Sequence, residues 1–175
     1  MFYHQRIVGI GIILIGADAA TTILDGNGSF HAVCVTSLPE GKVVLKNLTI
    51  KGADASAAEK ADEDAGTGYV QSSVNQKNYN DNYGAGLYAI GSDIEMENVI
   101  ITGNIGKNAA GGFIGDGAKA SLKNIEVKSN TSALGNGVGL WIDASTATVE
   151  DCNFSKNEGA GTAVGLYIYA ATGKT

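Results

Sequence analysis

The sequence predicts an all-β fold, a right-handed parallel β-helix in which coils of about 26 residues stack into a solenoid. Glycine is abundant at 25 residues and proline occurs once, which suits a chain that turns often at fixed places. Two blocks of sequence recur with one spacing, and short runs in them alternate apolar and polar residues. We therefore expect one domain over residues 1–175, part of a longer protein, with roughly six coils and a loop insertion at about residues 53–83.

The first repeated block is a glycine followed by large apolar residues, and its copies lie 26, 27 and 26 residues apart. They begin at Gly86, Gly112, Gly139 and Gly165. The second block carries an asparagine or aspartate at a fixed place, and its copies begin at Leu45, Met96, Leu122 and Val149. A single period shared by two blocks predicts parallel strands joined by right-handed crossovers, with equivalent residues stacked in columns.

Alternate residues of the second block are apolar and are predicted to face the interior. These inward residues are Val99, Ile101, Ile125, Val127, Cys152 and Phe154. An aspartate in place of Phe154 is expected to collapse the packing of its coil, because it would bury an unpaired charge.

Stacking also arranges the polar residues of the second block in columns. An outward column alternates in charge and comprises Lys46, Glu97, Lys123 and Glu150. The next column is predicted to form turns in the left-handed conformation that asparagine tolerates, and it comprises Asn47, Asn98, Asn124 and Asp151. A further turn column comprises Asn27, Asn104, Asn130 and Asn157. We expect both turn columns to be structural, with side-chain hydrogen bonds from coil to coil.

The composition argues against several classes of protein. A net charge of −6 and a single arginine, Arg6, disfavour a nucleic-acid partner, which needs clustered cations. No apolar run is long enough to span a membrane. The apolar run of residues 7–16 is compatible with a signal peptide or a buried strand, and we favour the strand. Cys34 and Cys152 are predicted to be free, buried thiols.

Two elements carry a resemblance to a known family. They are Gly111-Gly112-Phe113-Ile114 and Phe154-Ser155-Lys156-Asn157. The repeats resemble those of the pectin lyase-like right-handed β-helix superfamily, and especially the adhesin-type repeats of polymorphic outer-membrane proteins. In that type a Gly-Gly-hydrophobic element is paired with Phe-x-x-Asn. The resemblance covers most of the chain outside the insertion. It implies a bacterial extracellular or cell-surface protein, and a saccharide groove along the outer face of the first sheet.

The candidate functional regions are the insertion and the columns formed by the first repeated block. Residues 53–83 are predicted to leave the coil as a long loop, with a helical turn or two in residues 56–64, and either to carry function or to cover a sheet face. Leu87, Phe113, Leu140 and Leu166 are predicted to point inward. The outward column, and the predicted saccharide-binding site, is then Tyr88, Ile114, Trp141 and Tyr167. The alternative is an apolar face covered by the insertion or by a neighbour.

Asp116 and Asp143 are the catalytic candidates, since adjacent carboxylates can act as an acid–base pair or bind calcium. The resemblance implies that a hydrolase would need several aspartates with a nearby His and Lys, and a lyase an Arg or Lys base beside calcium. The only histidines are His4 and His31, and the only arginine is Arg6. Catalysis is therefore disfavoured, and no cofactor or metal is expected, calcium being the one ion left open.

Three functional hypotheses follow from these observations. The first is a non-catalytic extracellular or cell-surface β-helix, adhesin-like, that contacts a polysaccharide or a host or surface glycan. The second is a polysaccharide-active enzyme, a lyase or a glycoside hydrolase. The third is a structural stalk that associates with itself end to end, because a terminal coil presents unpaired strand edges.

Overall fold

The computed structural model describes residues 11–36, 41–56, 83–115, 117–133, 137–143 and 146–169. These residues form short strands, and every strand pairing between them is parallel. The strands are β1 Ile12–Ile15, β2 Ile23–Asp25, β3 Val33–Thr36, β4 Lys42–Lys51, β5 Leu87–Ile90, β6 Asp93–Thr102, β7 Ile105–Gly106, β8 Gly112–Gly115, β9 Lys119–Lys123, β10 Glu126–Lys128, β11 Thr131–Ser132, β12 Leu140–Asp143, β13 Thr146–Glu150, β14 Asn153–Ser155, β15 Glu158–Gly159 and β16 Leu166–Tyr169. The described part of the chain contains no helix that could cross a lipid bilayer.

The strands stack into three sheets that run along the solenoid. Sheet A follows the order β1-β4-β6-β10-β14 and also includes β2, β9 and β13. Sheet B has the order β3-β5-β8-β12-β16, and sheet C the order β7-β11-β15. A turn takes about 27 residues and the solenoid has about four turns, so the predicted fold class is confirmed but the prediction of roughly six coils is wrong.

The interior is a continuous column of aliphatic side chains enclosed by the sheets. Val99, Ile101, Ile125 and Val127 are at most 2% exposed, as their alternation predicted. Cys152 and Phe154 also face this core, but they are half-buried because they belong to the last coil that the structure describes. Cys34 and Cys152 are free thiols, and both are half-buried rather than buried.

The first asparagine column forms the corner in the middle of sheet A. Asn47, Asn98, Asn124 and Asp151 have φ values of 53°, 54°, 52° and 52°, so the predicted left-handed conformation is confirmed. The Nδ2 of Asn98 donates to the Oδ1 of Asn47 at 2.9 Å, and the Nδ2 of Asn124 donates to the Oδ1 of Asn98 at 2.7 Å. These bonds make a ladder of amides along an exposed edge of the coil.

Asp151 ends this ladder, because an ionised carboxylate has no hydrogen to donate to the Oδ1 of Asn124. We expect Asp151→Asn to extend the ladder and to raise the free energy of unfolding by about 0.5–1 kcal/mol, measured by urea denaturation. Asp151→Ala is the control, since alanine offers no donor and is strained at positive φ, so this variant should be destabilised. Equal stability of the two variants would show that no hydrogen bond forms at this position.

The second asparagine column is buried and bonds more extensively. Asn104 and Asn130 are fully buried, and the Nδ2 of Asn104 donates to the Oδ1 of Asn130 at 3.0 Å. The Nδ2 of Asn130 in turn lies 3.0 Å from the Oδ1 of Asn157 and 3.1 Å from the carbonyl oxygen of Ile101. Asn27 is exposed and does not belong to this column, because Gly26, rather than Asn27, packs against Ala53 in the coil before Asn104.

The charged column has the predicted register, and Glu95 adds a further carboxylate to its ion pairs. Lys46 pairs with Glu97, Glu97 with Lys123, and Lys123 with Glu150 in adjacent strands. The ammonium of Lys46 lies 2.8 Å from Glu97 and 2.9 Å from Glu95, and Glu95 also binds Lys42. The hydrogen bond from Lys42 is the largest of the effects, followed by that from Lys46, that hold the pKa of the Glu95 carboxyl at about 2.

The depressed pKa of Glu95 predicts a specific acid titration. Because the folded-state pKa lies below the ordinary value of 4.5, these ion pairs stabilise the fold above about pH 4.5 and lose that effect as the pH falls through about 2. We expect the Glu95 carboxyl to titrate near pH 2 by NMR, and Lys42→Met to move the midpoint toward 4.5. Lys128→Met, whose ammonium pairs with Glu126, should leave it unchanged. A wild-type midpoint near 4.5 would contradict the ion pairs.

The coil extends further into the predicted insertion than the sequence indicated. Ala53 and Ala55 are buried, and Asp54 bridges to Ile105 in the next coil. Tyr83 bridges to Asn108, so the coil has resumed at that residue. The coil thus includes residues 53–56 at the start of the insertion predicted at about residues 53–83, because the small alanines fit its inner corner, and it includes Tyr83 at the predicted end. Residues 57–82, which include most of the predicted helical turns at 56–64, lie outside the described residues, as do residues 1–10 of the apolar N-terminal region.

Candidate functional site

The outer face of sheet B carries an unbroken column of aromatic residues, but its membership differs from the prediction. Tyr88 pairs with Phe113, Phe113 with Trp141, and Trp141 with Tyr167. Ile114 pairs with residues of the inner face and is fully buried in the core. The predictions that Ile114 faces outward and Phe113 faces inward are therefore both wrong.

Gly112 is the physical reason for this difference. Gly112 lies opposite Leu87 and Leu140, at the inward position that the alignment of the repeats gave to Phe113. A Cβ added to Gly112 would lie 3.0 Å from the Cδ1 of Leu140, so the side chain of Leu140 occupies the space that the glycine leaves. A slip of one residue reverses the face of every side chain in a strand, and β8 is slipped by one relative to the predicted alignment.

The aromatic rings contact one another from coil to coil. The ring centroids of Tyr88 and Phe113 are 5.9 Å apart, those of Phe113 and Trp141 6.0 Å, and those of Trp141 and Tyr167 4.9 Å. Tyr83 reaches across the column, with its ring 5.1 Å from Phe113 and 5.2 Å from Trp141. These distances are typical of favourable aromatic pairs, so the column is a packed array.

A second hydrophobic cluster therefore lies outside the solenoid. Its buried members are Tyr88, Ile90, Ala109 and Phe113, and the partly buried residues packed against them are Cys34, Tyr83 and Trp141. We call these seven residues the outer cluster. His31 adjoins it, since its ring stacks on Tyr88 at 5.0 Å and its Nδ1 lies 3.0 Å from the carbonyl oxygen of Gly84. These contacts give His31 a structural role on this face.

Exposure increases along the column toward the last described coil. Tyr88 is 6% exposed and Phe113 is fully buried, whereas Trp141 and Tyr167 are half-buried. Tyr169 lies two residues after Tyr167, hence on the same face, and is 47% exposed. We call Trp141, Tyr167 and Tyr169 the aromatic platform, because these rings of the strands of sheet B are partly or largely exposed to solvent.

Asp143 adds a carboxylate to this face. It follows Trp141 by two residues, pairs in register with Tyr169 and is 3% exposed. The pKa of the Tyr83 phenol is raised by burial and, to a lesser extent, by the negative charge of Asp143, so the charge reaches the outer cluster. Asp116 lies outside the described residues, so the predicted pairing of Asp116 with Asp143 stays a prediction; the described register of β8 with β12 ends at Ile114 opposite Ile142.

The described residues contain no group of three or more His, Cys, Asp or Glu side chains placed to hold a metal ion. Within sheet B, Asp143 is also the only charged residue, since the other strands read Val-Cys-Val-Thr, Leu-Tyr-Ala-Ile, Gly-Phe-Ile-Gly and Leu-Tyr-Ile-Tyr. His4 and Arg6, the other groups considered for catalysis, lie outside the described residues. The described strands of sheet B thus contribute aromatic side chains and a single acidic group to this face.

The family model for the right-handed β-helix region matches residues 11–172. The chain belongs to the right-handed β-helix family. No curated protein and no solved structure shows significant similarity to this β-helix. The family membership accounts for the sheets and the stacked columns, whereas the character of the outer face comes from the particular side chains of this β-helix.

Three residues of the candidate site in this β-helix were not predicted from the sequence. Phe113 was missed because the repeats were aligned on their glycines; an alignment on the aromatic residues would have placed it in the column with Tyr88 and Trp141. Tyr169 was not included in the predicted binding column, although it lies two residues after Tyr167 on the same strand. Tyr83 carried no signal, because it belongs to the column only through contacts between distant parts of the chain.

Proposed function

We propose that this β-helix is a non-catalytic, adhesin-like protein that binds saccharides on the aromatic platform. The observation that carries the proposal is that three solvent-accessible rings, Trp141, Tyr167 and Tyr169, share one face of a parallel sheet. The apolar faces of sugar rings pack on aromatic side chains, while polar groups at the rim fix orientation.

The support beneath the platform strengthens this proposal. Trp141 contacts Phe113, Tyr83 and Tyr167, with ring centroids 4.9–6.0 Å apart. A ring held on several sides has little rotamer freedom to lose when a ligand binds, so more of the contact energy remains as affinity. Strands, moreover, hold binding groups more accurately than loops do.

We also propose an extracellular or cell-surface location, with a polysaccharide or a host or surface glycan as the partner. The support is the resemblance of Gly111-Gly112-Phe113-Ile114 and Phe154-Ser155-Lys156-Asn157 to adhesin-type repeats, together with the net charge of −6. Acidic, weakly charged surfaces suit such a location, because they resist nonspecific binding to nucleic acid.

A polysaccharide-active enzyme is the second candidate, and the burial of Asp143 beside the platform favours it. A carboxylate shielded from water in an aromatic site is a common form of general acid. Glycoside hydrolysis generally requires a second carboxylate, however, and the other described strands of sheet B contain no Asp or Glu.

The test measures retention and cleavage together. We expect the protein to be retained on at least one polymer of a polysaccharide panel, without release of shorter chains, and Trp141→Ala to weaken retention at least about tenfold. Ile105→Ala is the control, since Ile105 is an exposed apolar residue of sheet C, at 45% exposure. Retention that survives Trp141→Ala, or no retention at all, would refute the proposal. Release of shorter chains would favour the enzyme and direct attention to Asp143.

A further inference from the structure

We infer that the aromatic platform binds a single dissolved saccharide chain and not the flat face of a crystalline polysaccharide, because the rings of Trp141 and Tyr167 form a right-angled corner. This inference rests on the proposed function, because it concerns the ligand of the same platform. It goes further by naming the physical form in which the saccharide is recognised.

The two ring planes of this corner are perpendicular. Trp141 and Tyr167 have ring centroids 4.9 Å apart, and the angle between their planes is 85°. A flat solid touches two rings face-on only if both rings lie in one plane. A crystalline face can therefore stack on Trp141 or on Tyr167, but not on both at once.

The close spacing of the coils accounts for this angle. Trp141 and Tyr167 are paired in adjacent parallel strands, which lie about 4.8 Å apart. Two rings side by side in one plane need about 6 Å between their centroids, because their edge carbons must stay about 3.5 Å apart. At the observed 4.9 Å the two rings cannot lie flat next to each other, and the perpendicular arrangement accommodates both.

Contacts beneath the corner hold Trp141 at this angle. Its ring centroid lies 5.2 Å from that of Tyr83 and 6.0 Å from that of Phe113, and its plane is inclined to theirs by 70° and 67°. Phe113 is fully buried, so it has no free space into which it can move to let the indole turn. The corner is therefore kept when a solid surface approaches, and is not flattened against it.

The other end of the column does not supply a flat surface either. The rings of Tyr88 and Phe113 are nearly parallel, with 20° between their planes. Phe113 is fully buried, however, and Tyr88 is only 6% exposed. A crystalline polysaccharide cannot rest on rings that lie beneath other side chains.

A dissolved chain can use both walls of the corner. Its sugar rings expose their faces and their rims, so one sugar ring can stack on one wall while its rim touches the other. In a crystal the rims pack against neighbouring chains, and the corner meets only the top face. The indole contributes carbon atoms to this contact, because the Nε1 of Trp141 is buried.

The first experiment compares physical forms of one polymer on the full chain. Isothermal titration with the soluble hexasaccharides of cellulose, chitin, mannan and xylan should show that at least one binds. At equal accessible surface area, the crystalline form of that polymer should retain at least about tenfold less protein than its swollen, amorphous form. This comparison uses the wild-type protein, so it does not depend on the folding of a variant.

Two substitutions test the corner itself. Trp141→Ala and Tyr167→Ala each remove one wall, and each should weaken binding of the hexasaccharide at least about tenfold, because one sugar ring contacts both walls. Ile105→Ala, which truncates an exposed apolar side chain of sheet C, is the control and should leave the affinity unchanged.

The outcomes separate this inference from the proposed function. Equal retention on the crystalline and amorphous forms, or wild-type affinity in Tyr167→Ala, would overturn the inference and leave saccharide binding at Trp141 intact. Binding to neither the hexasaccharides nor the solids would instead count against the proposed function, and the inference would fall with it.

Discussion

Replacing Asn130 with alanine should lower the free energy of unfolding by about 3–5 kcal/mol, an exceptional cost for removing an uncharged polar side chain. Asn130 is fully buried, and its Oδ1 accepts bonds from the backbone nitrogen and the Nδ2 of Asn104, at 3.1 and 3.0 Å. Its Nδ2 donates to the carbonyl oxygen of Ile101 and to Asn157. Alanine would leave several buried groups without partners, each at a cost of about 1–3 kcal/mol.

Asn124→Ala is the control for this prediction, because Asn124 lies in the same coil and also bonds along a column of amides. Its ladder is exposed, so water can replace the lost bonds, and we expect a cost of about 1–2 kcal/mol that includes the strain of alanine at positive φ. Urea unfolding of both variants, with the slope checked for constancy, gives the comparison. Similar costs for the two variants would mean that the buried ladder contributes no more than the exposed one.

Replacing Phe113 with alanine should cost about 3–5 kcal/mol, because it opens a cavity in the outer cluster. Phe113 is the largest fully buried side chain among the residues that the structure describes, and it contacts Tyr88, Tyr83 and Trp141. The change should also free Trp141, the only tryptophan in the chain, so its fluorescence directly reports on the platform. We expect a red-shifted emission in the folded variant and weaker saccharide retention.

Tyr167→Ala serves as the comparison for Phe113. Tyr167 contacts Trp141 from the other side, but it is half-buried, and we expect a loss of about 1 kcal/mol with a smaller change in emission. If Phe113→Ala instead costs less than Tyr167→Ala and leaves the emission unchanged, the outer cluster is not a packed core, and the support that we ascribe to the platform disappears.

The sequence alone predicts the columns of sheet A, because the second repeated block keeps a constant length in the coils that follow the insertion. The places of Asn98, Asn124 and Asp151 therefore follow directly from the period. Sheet B was harder to predict, because glycine has no side chain and therefore does not indicate which face of the strand lies toward the core. Aligning Gly112 with the other block-initial glycines moved Phe113 and Ile114 to the wrong sides, although the residue types themselves were suitable for either face.

The number of coils and the outer cluster were beyond prediction for a different reason. Dividing the chain length by the repeat period counts every residue as part of a coil. Residues 57–82 are nearly as many as one coil requires, so this division gave more coils than the described solenoid contains. Tyr83 joins Phe113 and Trp141 only when separate coils have stacked. Contacts of this kind depend on tertiary structure, and a repeat pattern does not encode them.

The two asparagine ladders donate in opposite directions. In the exposed ladder each amide donates to the preceding coil, from Asn124 to Asn98 to Asn47, whereas in the buried ladder it donates to the following coil, from Asn104 to Asn130 to Asn157. A coil inside the stack thus presents one amide donor and one amide acceptor to the preceding coil, and likewise one of each to the following coil. A gene segment encoding one coil could be duplicated or deleted in tandem without breaking either chain of bonds. Solenoid length is consequently a property that evolution can alter in whole coils, at the level of the gene, while the fold of each coil stays the same.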